Sequence, residues 1–105
     1  MHHSPIVLLV EASIKPAHVD EVVKAARAAL ADTLREPGCL AFFQSARAEA
    51  PNQLVFFEVF ASEADHQRHL ERDYTRRVFA AMEGKLEAPP RVTHLRQLDH
   101  VTGTP

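Results

Sequence analysis

Cysteine is nearly absent from this chain of 105 residues, and tryptophan is wholly absent. A lone cysteine, Cys39, rules out an internal disulfide, so a reducing compartment, the cytoplasm, is the expected location. Neither sign of charge is in excess: twelve Lys and Arg against fourteen Asp and Glu give a net charge of -2. That balance offers no electrostatic footing for nucleic acid or an anionic membrane. Long apolar runs are missing as well. The N-terminal "IVLLV" is too short for the apolar region of a signal peptide or for a membrane span. No HExxH-like motif or cysteine pair is present to build a metal site, and "HQRH" supplies only His66 and His69, so no metal is expected. Without repeats, linkers or low-complexity segments, residues 1–105 read as a single domain. "TGTP" reads as a frayed end, and His2 and His3 stay outside the functional argument.

What is present alternates between two periods. "IVLLVEAS" is a β-branched apolar run and predicts a strand. "KPAHVDEVVKAARAALADTLRE" then places Val19, Val22, Val23, Ala26, Ala29, Leu30 and Thr33 at helical spacing. Pro37 stops that helix, and Gly38 is expected to supply the positive φ of a tight reversal. "CLAFFQSA" and "QLVFFEVF" predict a hairpin joined by a turn at "RAEAPN", with Pro51 and Asn52 the residues that favour it. Ser62 and Asp65 resemble a capping box opening the helix "EADHQRHLER". "YTRRVFAAMEGKL" continues as a helical stripe of Thr75, Val78, Phe79, Met82 and Leu86, and "RVTHLRQLD" predicts a last strand. The order β-α-β-β-α(α)-β predicts an α+β, ferredoxin-like fold: a four-stranded antiparallel sheet with helices on one face.

The strands do not alternate cleanly between apolar and polar. In the third, Leu54, Phe56 and Phe60 point one way while Val55, Phe57 and Val59 point the other, so both sheet faces want cover. Helices can cover only one. A second copy packed sheet to sheet by two-fold symmetry covers the other, which predicts a homodimer. Cys39, at the start of a strand and without a basic neighbour or helix N-terminus, reads as an inert buried thiol.

"EPGCL" after the long first helix, "FFEVFAS" in the third strand and "HL" at His69 and Leu70 together resemble the antibiotic biosynthesis monooxygenase family of dimeric α+β barrels. The resemblance covers most of the chain. It implies a mostly apolar pocket between sheet and helices. There some members oxidise polycyclic phenols or quinols with molecular oxygen and without metal or flavin, so no cofactor is expected. Other members rearrange small sugar-like molecules, and relatives with the same fold degrade haem. The chain departs from the family pattern at four places: Phe60 replaces the usual tryptophan, Phe42 a tyrosine and Tyr74 a histidine, and His66 stands where the family more often has Leu or Phe.

His66, His69, Leu70 and Asp73 fall on one side of the short helix. His69 is the first candidate for a general base or acid, since neutral imidazole accepts a proton near pH 7. A structural histidine bonded to a backbone carbonyl is the alternative. His66 is either a second pocket imidazole or rolled outward. Glu58 interrupts an apolar strand on the face of Phe60, where its carboxylate must be paired or protonated. It could assist His69, bind a substrate hydroxyl or pair with Arg68 or Arg96. Tyr74 could donate to a substrate oxygen, while Phe42, Phe60 and Phe79 line the pocket or simply fill the core. The expected activity is cofactor-independent oxygenation of an aromatic, phenolic or quinol-like molecule. The alternative is a pocket protein for binding or isomerisation.

Overall fold

A computed structural model describes residues 4–98. β1 (Ile6–Ser13) leads through a single 3-10 turn at Pro16–His18 into α1 (Val19–Leu34). β2 (Cys39–Arg47) and β3 (Ala50–Phe60) form the hairpin, followed by α2 (Glu63–Glu71), α3 (Asp73–Met82) and β4 (Arg91–Leu95). All strand pairs are antiparallel, in the order β2-β3-β1-β4, as the ferredoxin-like arrangement requires. No helix among the described residues is long and apolar enough to cross a membrane.

Strand parity decides the core. Leu54, Phe56, Glu58 and Phe60 of β3 are buried, while the residues between them are only partly covered. The helix-facing set meets α1 through Val22 and Ala26, and Ala12, Ile14, Leu54 and Phe56 complete the cluster. Gln44 pins β2 under α1 by donating to the Ala26 carbonyl at 2.7 Å. Among the described residues, no segment covers the other sheet face. Leu40 is 61% exposed, and Phe43, 59% exposed, stacks only on Phe57 at a centroid distance of 6.2 Å.

Four local expectations are corrected. Pro51 and Asn52 are not the turn, because Arg47 pairs with Ala50 and leaves only Ala48 and Glu49 between them. Asn52 instead donates to the Ile14 carbonyl at 3.0 Å, a contact 38 residues distant that no local turn rule registers. The last helix ends at Met82, four residues before Leu86. Gly84 takes φ 75° and turns the chain so that Leu86 bridges Ile14. Among the described residues, that is the one positive-φ glycine, so Gly38 does not use the left-handed region. Gly38 serves close approach instead: a Cβ there would run into the Asp65 side chain. β4 stops at Leu95 and residues 96–98 are not strand, while residue 99, also expected in it, lies outside the described residues. The "TGTP" end lies outside the described residues.

Candidate active site

Between the helix-facing side of the sheet and the three helices lies a cavity of about 270 Å³. Leu8, Val10, Phe42, Phe56, Val78 and Met82 make most of its wall apolar. Phe79, Pro90 and Val92 also line it and are themselves exposed, so they mark its open side. The polar lining is sparse. Thr33 is already engaged, donating to the Ala29 carbonyl at 2.9 Å, and the Gln44 amide is held by α1.

The most organised polar group is a chain of three side chains from three elements. α2 begins at Ser62, whose Oγ accepts from the Asp65 N–H and donates to the Asp65 carboxylate. The helix so started carries His66, His69 and Leu70 to the cavity. His69 is only 5% exposed, and its Nδ1 lies 3.0 Å from Glu36 Oε2. The Tyr74 hydroxyl donates to the same oxygen at 2.5 Å. Glu36 is buried, and its carboxylate is compensated by these two donors. Where the Glu36 carboxylate is the acceptor, Nδ1–H is the donor and Nε2 is the ring nitrogen left for another partner. Phe60 and Phe42 flank the ring, at centroid distances of 4.9 and 5.5 Å. Burial, reinforced by the bond to Glu36, pushes the Tyr74 phenol well above its ordinary range, so it stays a neutral donor.

Glu36 comes from the short connection after α1. Its N–H bonds the Thr33 carbonyl, the Cys39 N–H bonds its carbonyl, and Gly38 O accepts from Ala61 N–H at 2.8 Å. The stretch around Cys39 therefore does contribute chemistry, but through Glu36. Burial, then the charges of Glu36 and Glu58, pushes the Cys39 thiol up to about 11, which disfavours the reactive thiolate.

Glu58 stands in a row across the sheet. It pairs with Phe42 on one side and Leu8 on the other, and Leu8 pairs with His94. The residue is 8% exposed, and its carboxyl has no hydrogen bond or ion pair among the described residues. Burial raises it to about 7, so near neutral pH much of it is a carboxylic acid able to donate. The expected partners are otherwise engaged or distant: Arg68 pairs with Asp65, and Arg96 is exposed. His66 is half-buried with its ring 5.2 Å from Phe60. Burial lowers its pKa first, and the neighbouring His69 and His94 lower it further.

Of the residues expected from sequence, His69, Glu58, His66, Phe42 and Phe79 line the cavity. Two do not. Phe60 is fully buried and backs both imidazoles rather than facing the cavity. Tyr74 turns its hydroxyl to Glu36 and acts at one remove. A backbone-bonded His69 is likewise corrected, since its partner is a carboxylate. Sequence reasoning missed Glu36 and gave Thr75 only a helix position. The signal for Glu36 was an acid lodged in "LREPGCL", between an apolar helix and an apolar strand. Among the described residues, no three His, Cys, Asp or Glu side chains come close enough to hold a metal ion.

Comparison with known proteins agrees with this architecture. A candidate antibiotic biosynthesis monooxygenase from Bacteroides thetaiotaomicron superposes with a TM-score of 0.88 at 19% identity, covering 97% of each chain. One from Nitrosomonas europaea gives 0.85 at 21% identity, over 93% of this chain and 94% of its own. A Mycobacterium tuberculosis protein gives 0.85 at 23% identity, over 94% and 100%. No curated protein matches the chain. At these identities the likeness is one of fold. The sequence pattern of one family, however, matches residues 5–81, most of the chain. The chain belongs to the antibiotic biosynthesis monooxygenase family.

Proposed function

We propose that this protein is a cofactor-independent monooxygenase acting on an aromatic, phenolic or quinol-like molecule held in the cavity. The observation that carries the reading is the buried His69–Glu36 pair, 3.0 Å apart, at the edge of a mostly apolar chamber. A base so placed suits a substrate whose ring activates a neighbouring CH2 group.

His69 Nε2 removes one proton from that carbon, and Glu36 stabilises the imidazolium that forms. Neutral Glu58 donates to a ring oxygen and spreads the negative charge of the carbanion. The anion passes one electron to molecular oxygen, and the radical pair couples to form a C–O bond. His69 then returns its proton to the outer peroxide oxygen. Loss of the second C–H proton breaks the O–O bond, leaving C=O and releasing water. In sum CH2 and O2 give C=O and H2O. The substrate carbon supplies four electrons, so no outside reductant is needed. Phe42 and the apolar wall orient the ring and exclude water.

Oxygen uptake with a reduced anthrone tests this directly. Wild type should consume oxygen well above the buffer rate and His69→Ala should not. Equal rates with and without protein overturn the reading.

A second reading is favoured by one observation: His69 and the partly protonated Glu58 line the same cavity, a base and an acid together. That pair suits keto–enol isomerisation without oxygen. Protein-dependent deuterium exchange into the anthrone CH2 under argon, with no oxygen uptake in air, selects it over the oxygenase.

The exposed Leu40 and Phe43 on the open sheet face support a homodimer in which a second copy packs against that face. Light scattering at micromolar concentration tests it.

A further inference from the structure

We infer that Thr75 is a second ligand-recognition residue, and that the molecule bound in the cavity carries an oxygen function directed at α3 as well as one directed at the sheet. This deepens the aromatic-pocket reading and rests on it.

The inference starts from what each polar lining group already does. Thr33, Gln44 and His69 Nδ1 all have protein partners. Among the described residues the side chains of Glu58, His66 and Thr75 have no hydrogen-bond partner, and of these His66 is only half-buried. Thr75 is 5% exposed, and its Oγ1 is buried with no hydrogen-bond partner among the described residues. The contrast with Thr33 explains why. Thr33 sits late in α1 and bonds the carbonyl four residues back, at Ala29. Thr75 is the third residue of α3, so the residue four back is Glu71, the last of α2. Between them Arg72 has extended backbone, ψ 144°, which breaks the helical path to that carbonyl. The helix break orphans the hydroxyl.

An orphaned buried hydroxyl is desolvated without compensation, and valine would fill the same space without that cost. Threonine in a helix populates two χ1 rotamers, and rotation exchanges Oγ1 with the methyl group. The residue lines the cavity, so a ligand oxygen there gives the hydroxyl the partner the fold denies it. Glu58 rises from the sheet and Thr75 descends from α3, on different walls. A single oxygen at one end of a flat ring system meets one wall. A ring with two separated oxygen functions meets both. A volume of about 270 Å³ is at the small end for ligand pockets, which suits a fused bicyclic or tricyclic system.

Binding of 1-naphthol and of the 1,5-, 1,6- and 2,7-dihydroxynaphthalenes, followed by their fluorescence without oxygen, tests the assignment. Wild type should bind at least one dihydroxy isomer roughly five-fold or more tighter than 1-naphthol. Thr75→Val should abolish that advantage by weakening the dihydroxy isomer more than 1-naphthol, with a thermal midpoint no lower than wild type. Thr75→Ser, which keeps the hydroxyl, should retain the advantage. An advantage that survives in the valine variant, or no preference in wild type, overturns the assignment. A Thr75-dependent preference without oxygen uptake from anthrone removes the oxygenase reading and leaves this one standing. Binding of none of the naphthols removes the aromatic pocket and Thr75's role together.

Discussion

Glu36 and His69, 33 residues apart in the chain, meet at 3.0 Å with both side chains buried. Tyr74 donates to the same carboxylate oxygen, so the imidazole is held by a group that is itself held. This relation fixes which ring nitrogen is free to work, and the predictions begin from it.

Removing the imidazole with His69→Ala should lower oxygen uptake by roughly 10²- to 10⁴-fold, the range for a positioned general base. Glu36→Gln should fall in the lower part of the same range, because an amide can donate to Nδ1 and favour the wrong tautomer. Tyr74→Phe removes one hydrogen bond at a distance and should cost about five-fold. Steady-state oxygen-electrode rates on the three variants give this order directly. A Tyr74→Phe loss as large as that of His69→Ala would place the phenol at the substrate instead.

Glu58 makes stability depend on pH. Its folded value of about 7 lies above its ordinary 4.5 because burial opposes the charge. The native state therefore binds the proton more tightly than the unfolded chain. Relative to the ionised site, that advantage is complete below 4.5 and is lost as pH rises through 7. The decline amounts to about 3 kcal/mol. Urea midpoints at pH 5.5 and 9 should fall in wild type, and Glu58→Gln should remove most of that fall.

Gly38→Ala should destabilise the fold by about 1–3 kcal/mol, because the new methyl meets the Asp65 side chain at the start of α2. Since Gly38 lies two residues from Glu36, the same change should loosen the His69 pair. Thermal melting and oxygen uptake should fall together, and an unaltered melting point would show that Asp65 simply swings aside.

Phe43→Lys places a charge on the open sheet face beside Phe57. It should shift a dimer to monomer at micromolar concentration in light scattering while leaving the far-ultraviolet circular dichroism intact. A wild type that is already monomeric at that dilution removes the dimer altogether.

Local patterns were legible where a period sufficed. The two-residue alternation of β3 set Glu58 on the face of Phe56 and Phe60, and the helical spacing of Val22, Ala26, Ala29 and Thr33 named the buried side of α1. The Ser62–Asp65 cap was equally readable, because both partners lie within one turn. The errors share a cause. Asn52 was assigned to a turn, Leu86 to a helix and Gly38 to a left-handed reversal, yet each position is governed by a contact from a distant segment.

From residue order alone follow the sequence of strands and helices, the surplus apolar sheet face and the histidines on one side of α2. These depend on spacing along the chain, and spacing survives without coordinates. Only tertiary structure decided that Glu36 rather than a backbone carbonyl holds His69, that Tyr74 faces Glu36 rather than the cavity, and that Thr75 is left without a partner. Those facts depend on how the connection after α1 and the break between α2 and α3 pack together. Hydrogen bonds of about 3 Å between remote residues leave no period in a sequence.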